Sequence, residues 1–478
     1  MIALAALYAL ATVVLVVHGL RLLGLSFARL RTAPAPPARS VLEAWPRVCV
    51  QLPVYNEPEV IERAIRAVAA LDYPAMEIQV LDDSTDVTAE RAARVVRQLA
   101  SRGVAIRHLR RNSREGFKAG ALAVGMRETE AGLIAVFDAD FVPRPDTLRT
   151  LVAPLVADPS LAFAQMRWAH FNRGASWLTR AQGALLDVHF AIEQAGRQRT
   201  GRFLPFNGTA GVWRREAVER AGGWRGDTLA EDLDLSLRAW ALGMRGRFVE
   251  HTSVPAELPE DLGAWRRQQA RWAEGMAGVA RLHTRTLLGA RQPVGKRLRA
   301  LFALSAPLAY PALLAVLVLH PVLASAHALG AGPGEAFFSA LGLGWFGLAG
   351  AVTAHLVAQR AVRPEASART RGADLVLGLA APVALAWTGT RAMARGLAGR
   401  RSAFVRTPKG GVREGSPVSR AETALAVYTL AGVVVLGAVG AWVALAFQIA
   451  FACVLTLATW DVGRERARPT STPIPASA

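Results

Sequence analysis

Two carboxylates one residue apart, Asp138 and Asp140 in Phe137-Asp138-Ala139-Asp140-Phe141, follow directly on the apolar run 133–136. A buried strand ending in a tight acidic pair presents hard oxygen ligands to a metal at its carboxyl edge, where open α/β sheets bind ligands. Aspartates also turn a chain or cap a helix, so the pair alone decides nothing. A second cluster, Asp82-Asp83-Ser84-Thr85-Asp86, ends the predicted strand 78–81 in the same manner, and Glu231-Asp232-Leu233-Asp234 opens a helical segment. The helix dipole favours carboxylates there, and on this reading it holds Asp232 ionised and ready to take a proton. Cations come from Arg114 and Lys118, set among Gly116, Ala119 and Gly120, whose small side chains let a phosphate approach a helix start. Gln268, Arg271 and Trp272 fall at i, i+3 and i+4 and share a helical face. An amide, a guanidinium and an indole side by side suit hydroxyls, a diphosphate and the apolar face of a sugar ring.

These groups need elements that carry distant residues to one place. Residues 47–53 read as a buried strand, and Asn56, Pro58 and Glu59 form a capping-box start for a helix with Val60, Ile61, Ala64, Ile65, Val68 and Leu71 on one face. Strand 78–81, helix 88–100, strand 104–109, helix 116–126 and strand 133–137 follow. This β-α-β-α-β-α-β order predicts a parallel sheet with right-handed crossovers. Every strand then ends on one edge, so residues 53–57, Asp82-Asp83 and Asp138-Asp140 converge, which unrelated turns do not explain. Further on, 176–197 is predicted as an amphipathic helix, 206–213 as a small-residue loop entering a short strand, and 228–243 and 261–282 as helices.

The chain has 478 residues, 52% hydrophobic, and a formal net charge of +19, too long and too apolar for one soluble domain. Residues 2–20, 301–329 and 336–357 are nearly uncharged and long enough to cross the roughly 30 Å hydrocarbon layer. The run 423–460 has Gly437-Ala438-Val439-Gly440 at its centre and reads as a hairpin of two spans. Arg21, Arg29, Arg31, Arg39 and Arg47 follow the first apolar run, which by the positive-inside rule puts the amino terminus outside and most of the chain in the cytoplasm. The other basic stretches, 360–371, 391–420 and 464–468, are also predicted cytoplasmic, so the charge serves orientation and lipid-headgroup contact. No aromatic-basic module accompanies it, which argues against a nucleic-acid partner. The segment 176–197 is predicted to lie on the membrane surface. Residues 375–387 have basic flanks on both sides, which favours a re-entrant or interfacial element running into the amphipathic stretch 391–400. Cys49 and Cys453 offer neither a disulfide nor a metal site. Of 56 basic residues only Lys118, Lys296 and Lys409 are lysines, a hint of sites wanting a compact ammonium, although no motif surrounds Lys296.

With these motifs in order, the chain resembles the family 2 inverting glycosyltransferases of the membrane polysaccharide synthase type, such as the cellulose-synthase-like mannan and glucan synthases. Asp82-Asp83-Ser84, the segment 116–122, Asp138-Ala139-Asp140, the loop 206–213, Ala230-Glu231-Asp232 and Gln268 to Trp272 carry the resemblance. Phe404-Val405-Arg406-Thr407-Pro408-Lys409-Gly410 is similar to the gating loop that closes over the nucleotide in cellulose synthases. Two positions depart from the pattern. Ala230 stands where the family usually has threonine, and Arg406 where cellulose synthases usually have valine.

The resemblance implies an α/β fold in which a GT-A type, Rossmann-like nucleotide-sugar domain is inserted between transmembrane helices. Residues 1–25 would be an amino-terminal transmembrane helix and 44–284 the cytoplasmic glycosyltransferase domain with interfacial helices. Residues 298–460 would be a transmembrane region including a gating-like loop at 402–412, and 461–478 a disordered tail. It further implies that Asp138 and Asp140 hold Mg²⁺ or Mn²⁺ against the donor diphosphate. Asp82 and Asp83 would contact the nucleoside, and Lys118, Arg114 and Arg271 the phosphates. Thr407 and Lys409 would close over them. Asp232 would be the general base, with Gln268, Trp272 and Glu231 at the acceptor. The expected activity is processive, inverting β-glycosyl transfer from UDP-glucose or GDP-mannose to a growing polysaccharide in the cell membrane, with His320, His355 and Gln448 as candidates to line a translocation path. Transfer to a membrane lipid is the alternative, and an inactive membrane scaffold or sensor the reading of another class. Sugar, linkage and oligomeric state stay open.

Overall fold

The computed structural model describes residues 1–34, 44–400, 402, 406–411 and 419–465. Helix α1 (Ile2–Arg31) precedes a seven-stranded sheet made of β1 (Val48–Val54), β2 (Met76–Asp82), β3 (Ile106–Arg110), β4 (Leu133–Val136), β5 (Leu161–His170), β6 (Gly211–Arg214) and β7 (Arg245–Ala256). The strand order is β3-β2-β1-β4-β6-β5-β7. The predicted parallel half is present, with α2 (Ile61–Ala69), α3 (Thr88–Ala100) and α4 (Phe117–Arg127) as its crossovers. After α5 (Thr147–Ala157) the second half is mixed: β6 runs antiparallel to both β4 and β5, and β7 parallel to β5. All strands except β6 therefore point the same way and end on one edge.

Alternation along β1 sends Val48, Val50 and Leu52 to a core shared with Ile61, Ile65 and Val95, and Cys49 to the opposite face with Leu122, Ile134 and Trp213. Both faces are covered, as a parallel sheet requires. Each large side chain fully buried there contributes about 1.5–3 kcal/mol relative to exposure. The capping-box expectation fails. Helix α2 begins at Ile61 with no side-chain cap, and Asn56, at φ +53°, instead accepts a hydrogen bond from the Thr85 backbone N–H at 2.8 Å. Asn56 thus ties the loop after β1 to the loop after β2.

Helix α6 (Trp177–Val188), the π-helical turn His189–Gln194 and α7 (Ala195–Arg199) follow β5, and α8 (Arg215–Arg220), α9 (Glu231–Ala241) and α10 (Leu262–Leu288) complete the domain. Beyond α11 (Val294–Leu304) come α12 (Ala309–Ala328), α13 (Glu335–Leu341), α14 (Gly344–Val362), α15 (Ala368–Leu397), α16 (Arg420–Ala438) and α17 (Trp442–Glu465). Among the described residues six helical segments are long and apolar enough to cross a membrane: Ile2–Arg31, Ala306–Ala328, Glu335–Val362, Ala368–Leu397, Arg420–Ala438 and Trp442–Trp460. The predicted hairpin is present, with Gly440 at φ +70° between α16 and α17. Helix α17 runs on to Glu465, so the expected tail at 461–478 begins as helix, and residues 466–478 lie outside the described set.

Two segments with membrane expectations take the following form. In place of a re-entrant element at 375–387, α15 is one unbroken helix of 30 residues. Its Asp374 side chain, 1% exposed, collects Arg180 at 2.7 Å and Arg363 at 2.9 Å, so part of the basic flank is neutralised locally. The segment 176–197 is divided between α6, the π-helical turn and α7, with Leu178 and Ala181 packed among residues of α10 and α15, and Val188 and Ile192 among residues of α1 and α14. Of the polar candidates for a glycan path, His320 is satisfied between helices, whereas Gln448 Oε1 and His355 Nδ1 are buried with no partner among the described residues. His320 meets the Tyr8 hydroxyl at 3.1 Å and the Ala444 carbonyl at 3.0 Å, and the Gln448 amide donates to the Thr429 carbonyl. His355 is buried against Gly378.

Helices α1 and α14 cross backbone to backbone: a Cβ added at Gly350 would fall 2.1 Å from the Gly19 carbonyl oxygen. Gly350→Leu is therefore expected to destabilise the protein by roughly 1–3 kcal/mol, read as a lowered unfolding midpoint in detergent. Gly24, whose added Cβ would meet nothing within 4 Å, is the control, and Gly24→Ala should leave the midpoint in place or raise it.

Candidate active site

The sheet's carboxyl edge opens into a cavity of about 230 Å³. Each parallel-running strand beside it delivers a polar group at or just past its end: Glu57 after β1, Asp83 after β2, Asp138 and Asp140 after β4, His170 at the end of β5 and Glu257 after β7. The loop before the antiparallel β6 also lines the cavity, through Asn207 and Gly208. The β6 register, Val136 against Gly211, sets this loop beside the acidic pair, and the Asp138 N–H donates to the Thr209 hydroxyl at 2.9 Å. Gly208, at φ +84°, lets Asp232 lie against this loop, where an added Cβ would stand 2.9 Å from a carboxylate oxygen.

Each aspartate of the pair holds an ammonium. Lys118 Nζ is 2.5 Å from Asp138 and 2.9 Å from the Gly208 carbonyl, and Lys409 Nζ is 2.6 Å from Asp140. Burial disfavours the Lys118 charge, but Asp138 and then Glu231 outweigh it and raise its pKa. Burial and the nearby Asp140 push the Glu57 carboxyl up to about 8, a sign of surplus negative charge at this spot. No group of three or more His, Cys, Asp or Glu that could hold a metal occurs among the described residues. The donor set nonetheless suits a divalent cation of the magnesium kind. Two aspartates already hold cations, excess carboxylate surrounds them, and such ions are commonly bound by one or two carboxylates plus substrate phosphates.

The remaining predicted residues divide. Asp83, Arg114, Lys118, Glu231, Asp232, Gln268, Arg271, Trp272, Thr407 and Lys409 all line the cavity together with the acidic pair. Asp82 does not. Its side chain is fully buried behind the turn, accepting from the Ser84 N–H at 2.8 Å and contacting His108 Nε2 at 2.8 Å, because of two successive residues at a strand end only one faces the cavity. The expectation that the helix dipole keeps Asp232 ionised also needs correction. Burial, reinforced by Glu231, pushes its carboxyl up to about 7, although Lys118 opposes the shift.

In the gating-like segment 402–412, Ser402 and residues 406–411 are described, while Phe404 and Val405 lie outside the described set. Residues 406–411 lie against the cavity. Glu257 accepts from the backbone N–H groups of Gly410 and Gly411 at 2.6 and 3.2 Å, and its carbonyl accepts from Lys409 at 3.1 Å. Thr407 is buried, and its hydroxyl has no partner among the described residues, which leaves it available to a ligand.

Several contributors escaped the sequence reading. His170 and Glu257 follow the same strand-end logic as the aspartates and as Glu57, which lay in the converging segment 53–57, and were missed because β5 and β7 were not foreseen. Burial, then Arg173, depresses the His170 imidazole to about 3, so it is neutral, and neither ring nitrogen has a partner among the described residues. Arg111 sat in a recognised motif without a role. It grips both Asp83 oxygens, with Nε at 2.8 Å, and also donates to the Glu115 and Phe117 carbonyls at 2.9 and 3.0 Å. Arg114 stacks on Tyr55, 3.2 Å from the ring centroid, at the cavity wall. With Asp83 in the nucleoside-binding role that the sequence resemblance implies, Arg111→Ala is expected to raise the donor KM roughly 10–100-fold with a smaller effect on kcat, since hydrogen bonds to a charged group are worth about 1.5–3 kcal/mol. Steady-state kinetics with varied donor would check this.

Residues 133–329 match the family model for glycosyl transferase family group 2. A probable glucomannan 4-beta-mannosyltransferase 7 of Oryza sativa subsp. japonica is 44% identical over 243 residues, 50% of this chain and 42% of that protein. Glucomannan 4-beta-mannosyltransferase 2 of Arabidopsis thaliana is 42% identical over 50% of this chain and 46% of its own length. The chain spans about half the length of these curated relatives. Among solved structures, a mannosyltransferase from Pyrobaculum calidifontis in complex with GDP-Man and Mn²⁺ is 20% identical, with a TM-score of 0.50, over 76% of this chain and all of that one. That likeness shows the shared GT-A type fold. Over residues 133–329 the chain is thus similar to glycosyl transferase family group 2, and over about half its length it resembles the glucomannan 4-beta-mannosyltransferases.

Proposed function

We propose that the protein is a processive, inverting β-glycosyltransferase that elongates a polysaccharide from GDP-mannose or UDP-glucose at the cytoplasmic face of a cell membrane. The observation that carries this reading is the pairing, in one cavity, of a cation-holding carboxylate pair with a separate carboxylate, Asp232, in the first turn of α9. The names of the relatives at 42–44% identity favour mannose. The arginine-rich carboxyl end of α1 supports an amino terminus outside and a cytoplasmic domain.

In the proposed reaction the acceptor hydroxyl gives its proton to Asp232 as its oxygen bonds to the anomeric carbon. The bond from that carbon to the diphosphate breaks, and the leaving group departs on the opposite face. One displacement turns an α-linked donor into a β-linkage. Mg²⁺ or Mn²⁺ held by Asp138 and Asp140 would supply Lewis-acid neutralisation of the departing diphosphate. Lys118, Arg271 and Lys409 add positive charge there, and Thr407 offers a hydroxyl. Asp83, fixed by Arg111, faces the nucleoside. Trp272 and Gln268 shape the acceptor side, with Trp168 at a centroid distance of 6.5 Å from Trp272 extending the aromatic wall. The docked segment 406–411 and the six candidate spans favour a retained polymeric acceptor over single transfer to a lipid.

Membranes bearing the protein, supplied with labelled GDP-mannose or UDP-glucose and Mg²⁺ or Mn²⁺, provide the test. High-mass labelled product is expected. Label recovered solely as solvent-extractable glycolipid would move the assignment to the lipid acceptor, and no incorporation from either donor would favour an inactive scaffold.

A further inference from the structure

Away from the active site, four guanidinium groups meet around a small pocket. Arg21 and Leu25 come from α1, Arg197 from α7, Arg202 and Phe203 from the segment after it, and Arg299 and Phe302 from α11. The carboxylate facing them is Glu193, which pairs with Arg21, lies 3.9 Å from Arg197 and is also contacted by His189 at 3.1 Å. No carboxylate among the described residues pairs with Arg202 or Arg299. Burial, then Arg299 and Arg21, lowers the Arg202 pKa, and burial brings Arg197, 7% exposed, down to about 10. The buried Arg21 Nε has no partner among the described residues. Like charges this crowded, with one carboxylate between them, call for an anion.

The position narrows which anion. Arg21 follows the apolar run of α1, and α11 leads into the candidate span Ala306–Ala328, so the pocket sits where two spans reach the membrane boundary. Its arginines are accompanied by Leu25, Phe203 and Phe302, while Leu20, Phe27 and Leu298 are exposed nearby on the same helices. A bare phosphate uses only the guanidinium groups, whereas a phosphodiester headgroup with acyl chains also uses the apolar flank. We propose that this pocket binds the phosphate of an anionic phospholipid headgroup, with Arg202 and Arg299 as its principal donors and Arg21 and Arg197 behind them.

The test needs no transfer activity, so it stands apart from the proposed reaction. Full-length protein in nanodiscs of phosphatidylcholine, with or without phosphatidylglycerol, would be compared by native mass spectrometry and thermal unfolding. The wild type is expected to retain phosphatidylglycerol at least tenfold more than phosphatidylcholine and to unfold at a higher temperature in its presence. Arg202→Gln and Arg299→Gln, singly and together, should erase both effects, while Arg369→Gln, on the exposed start of α15, should not. Because Arg202 and Arg299 have no carboxylate to abandon, these variants are expected to fold, with size-exclusion profiles as the check. Retention unchanged in the double variant would overturn the site. Inorganic phosphate reproducing the full thermal shift in phosphatidylcholine alone would overturn the lipid assignment in favour of a free anion.

Discussion

Asp232→Asn is expected to reduce kcat by roughly 10²–10⁴-fold, the range typical of a lost general base, with donor KM little changed. The amide keeps the shape of the side chain but cannot take the acceptor proton. Because the Asp232 carboxyl is pushed up to about 7 by burial and by Glu231, the wild-type rate should depend on pH in a specific direction. Only the deprotonated form acts as base. The rate should therefore be flat above about pH 7 and fall about tenfold per pH unit below it. Glu231→Gln removes the like charge, so this acid limb should move to lower pH. A limb that stays in place would mean that Glu231 does not bear on Asp232. Glu231 and Asp232 are neighbours whose titrations interact, so the limb belongs to the pair and the shift on substitution is the informative quantity.

The second large effect is expected at the acidic pair. Asp140→Asn should lower transfer by about 10³-fold or more, since charge neutralisation at a leaving group is worth several kcal/mol and each 1.36 kcal/mol is a factor of ten. The same change should flatten the response to added Mg²⁺ or Mn²⁺. It should also remove the Lys409 contact at 2.6 Å, although the segment keeps its backbone bonds to Glu257. Asp138→Asn should act in the same direction while releasing Lys118. The two sites differ in signature: loss at Asp232 leaves donor binding and metal response intact, whereas loss at Asp140 removes both. If Asp140→Asn retained full metal-stimulated transfer, the acidic pair would not be the diphosphate clamp.

The first half of the domain was legible because apolar runs, helical faces and turn residues alternate there at regular spacing, and a parallel βαβ order fixes where strand ends go. Thr88–Ala100 emerged with its predicted bounds, and β1, β2 and β4 within one or two residues. What pattern could not reach was long-range. Asn56 looked like a helix cap because local spacing allowed it, but its partner is Thr85, on another loop. Asp82 and Asp83 are equivalent as letters, and the strand register and His108 decide that one supports the turn while the other faces the cavity. The protonation of Asp232 depends on burial and Lys118, neither visible in a run of acidic residues. His170 ends β5 and Glu257 follows β7, strands that the sequence pattern did not reveal, so the rule that located Asp138 could not be applied to them. In α15 the basic flanks suggested a re-entrant or interfacial element; Arg180 and Arg363 turn to the buried Asp374, and the helix is unbroken over its 30 residues.

The central claim is that a metal-diphosphate clamp at Asp138 and Asp140 and a separate base at Asp232 together carry out a single inverting displacement. The most direct measurement is the anomeric configuration of the bond formed when purified protein transfers a ¹³C-labelled sugar from its α-linked nucleotide donor, read by NMR of the product. The account predicts β-linked product, one nucleoside diphosphate released per sugar added, and the same product formed roughly 10²–10⁴-fold more slowly by Asp232→Asn. An α-linked product, with retention at the anomeric carbon, would contradict it.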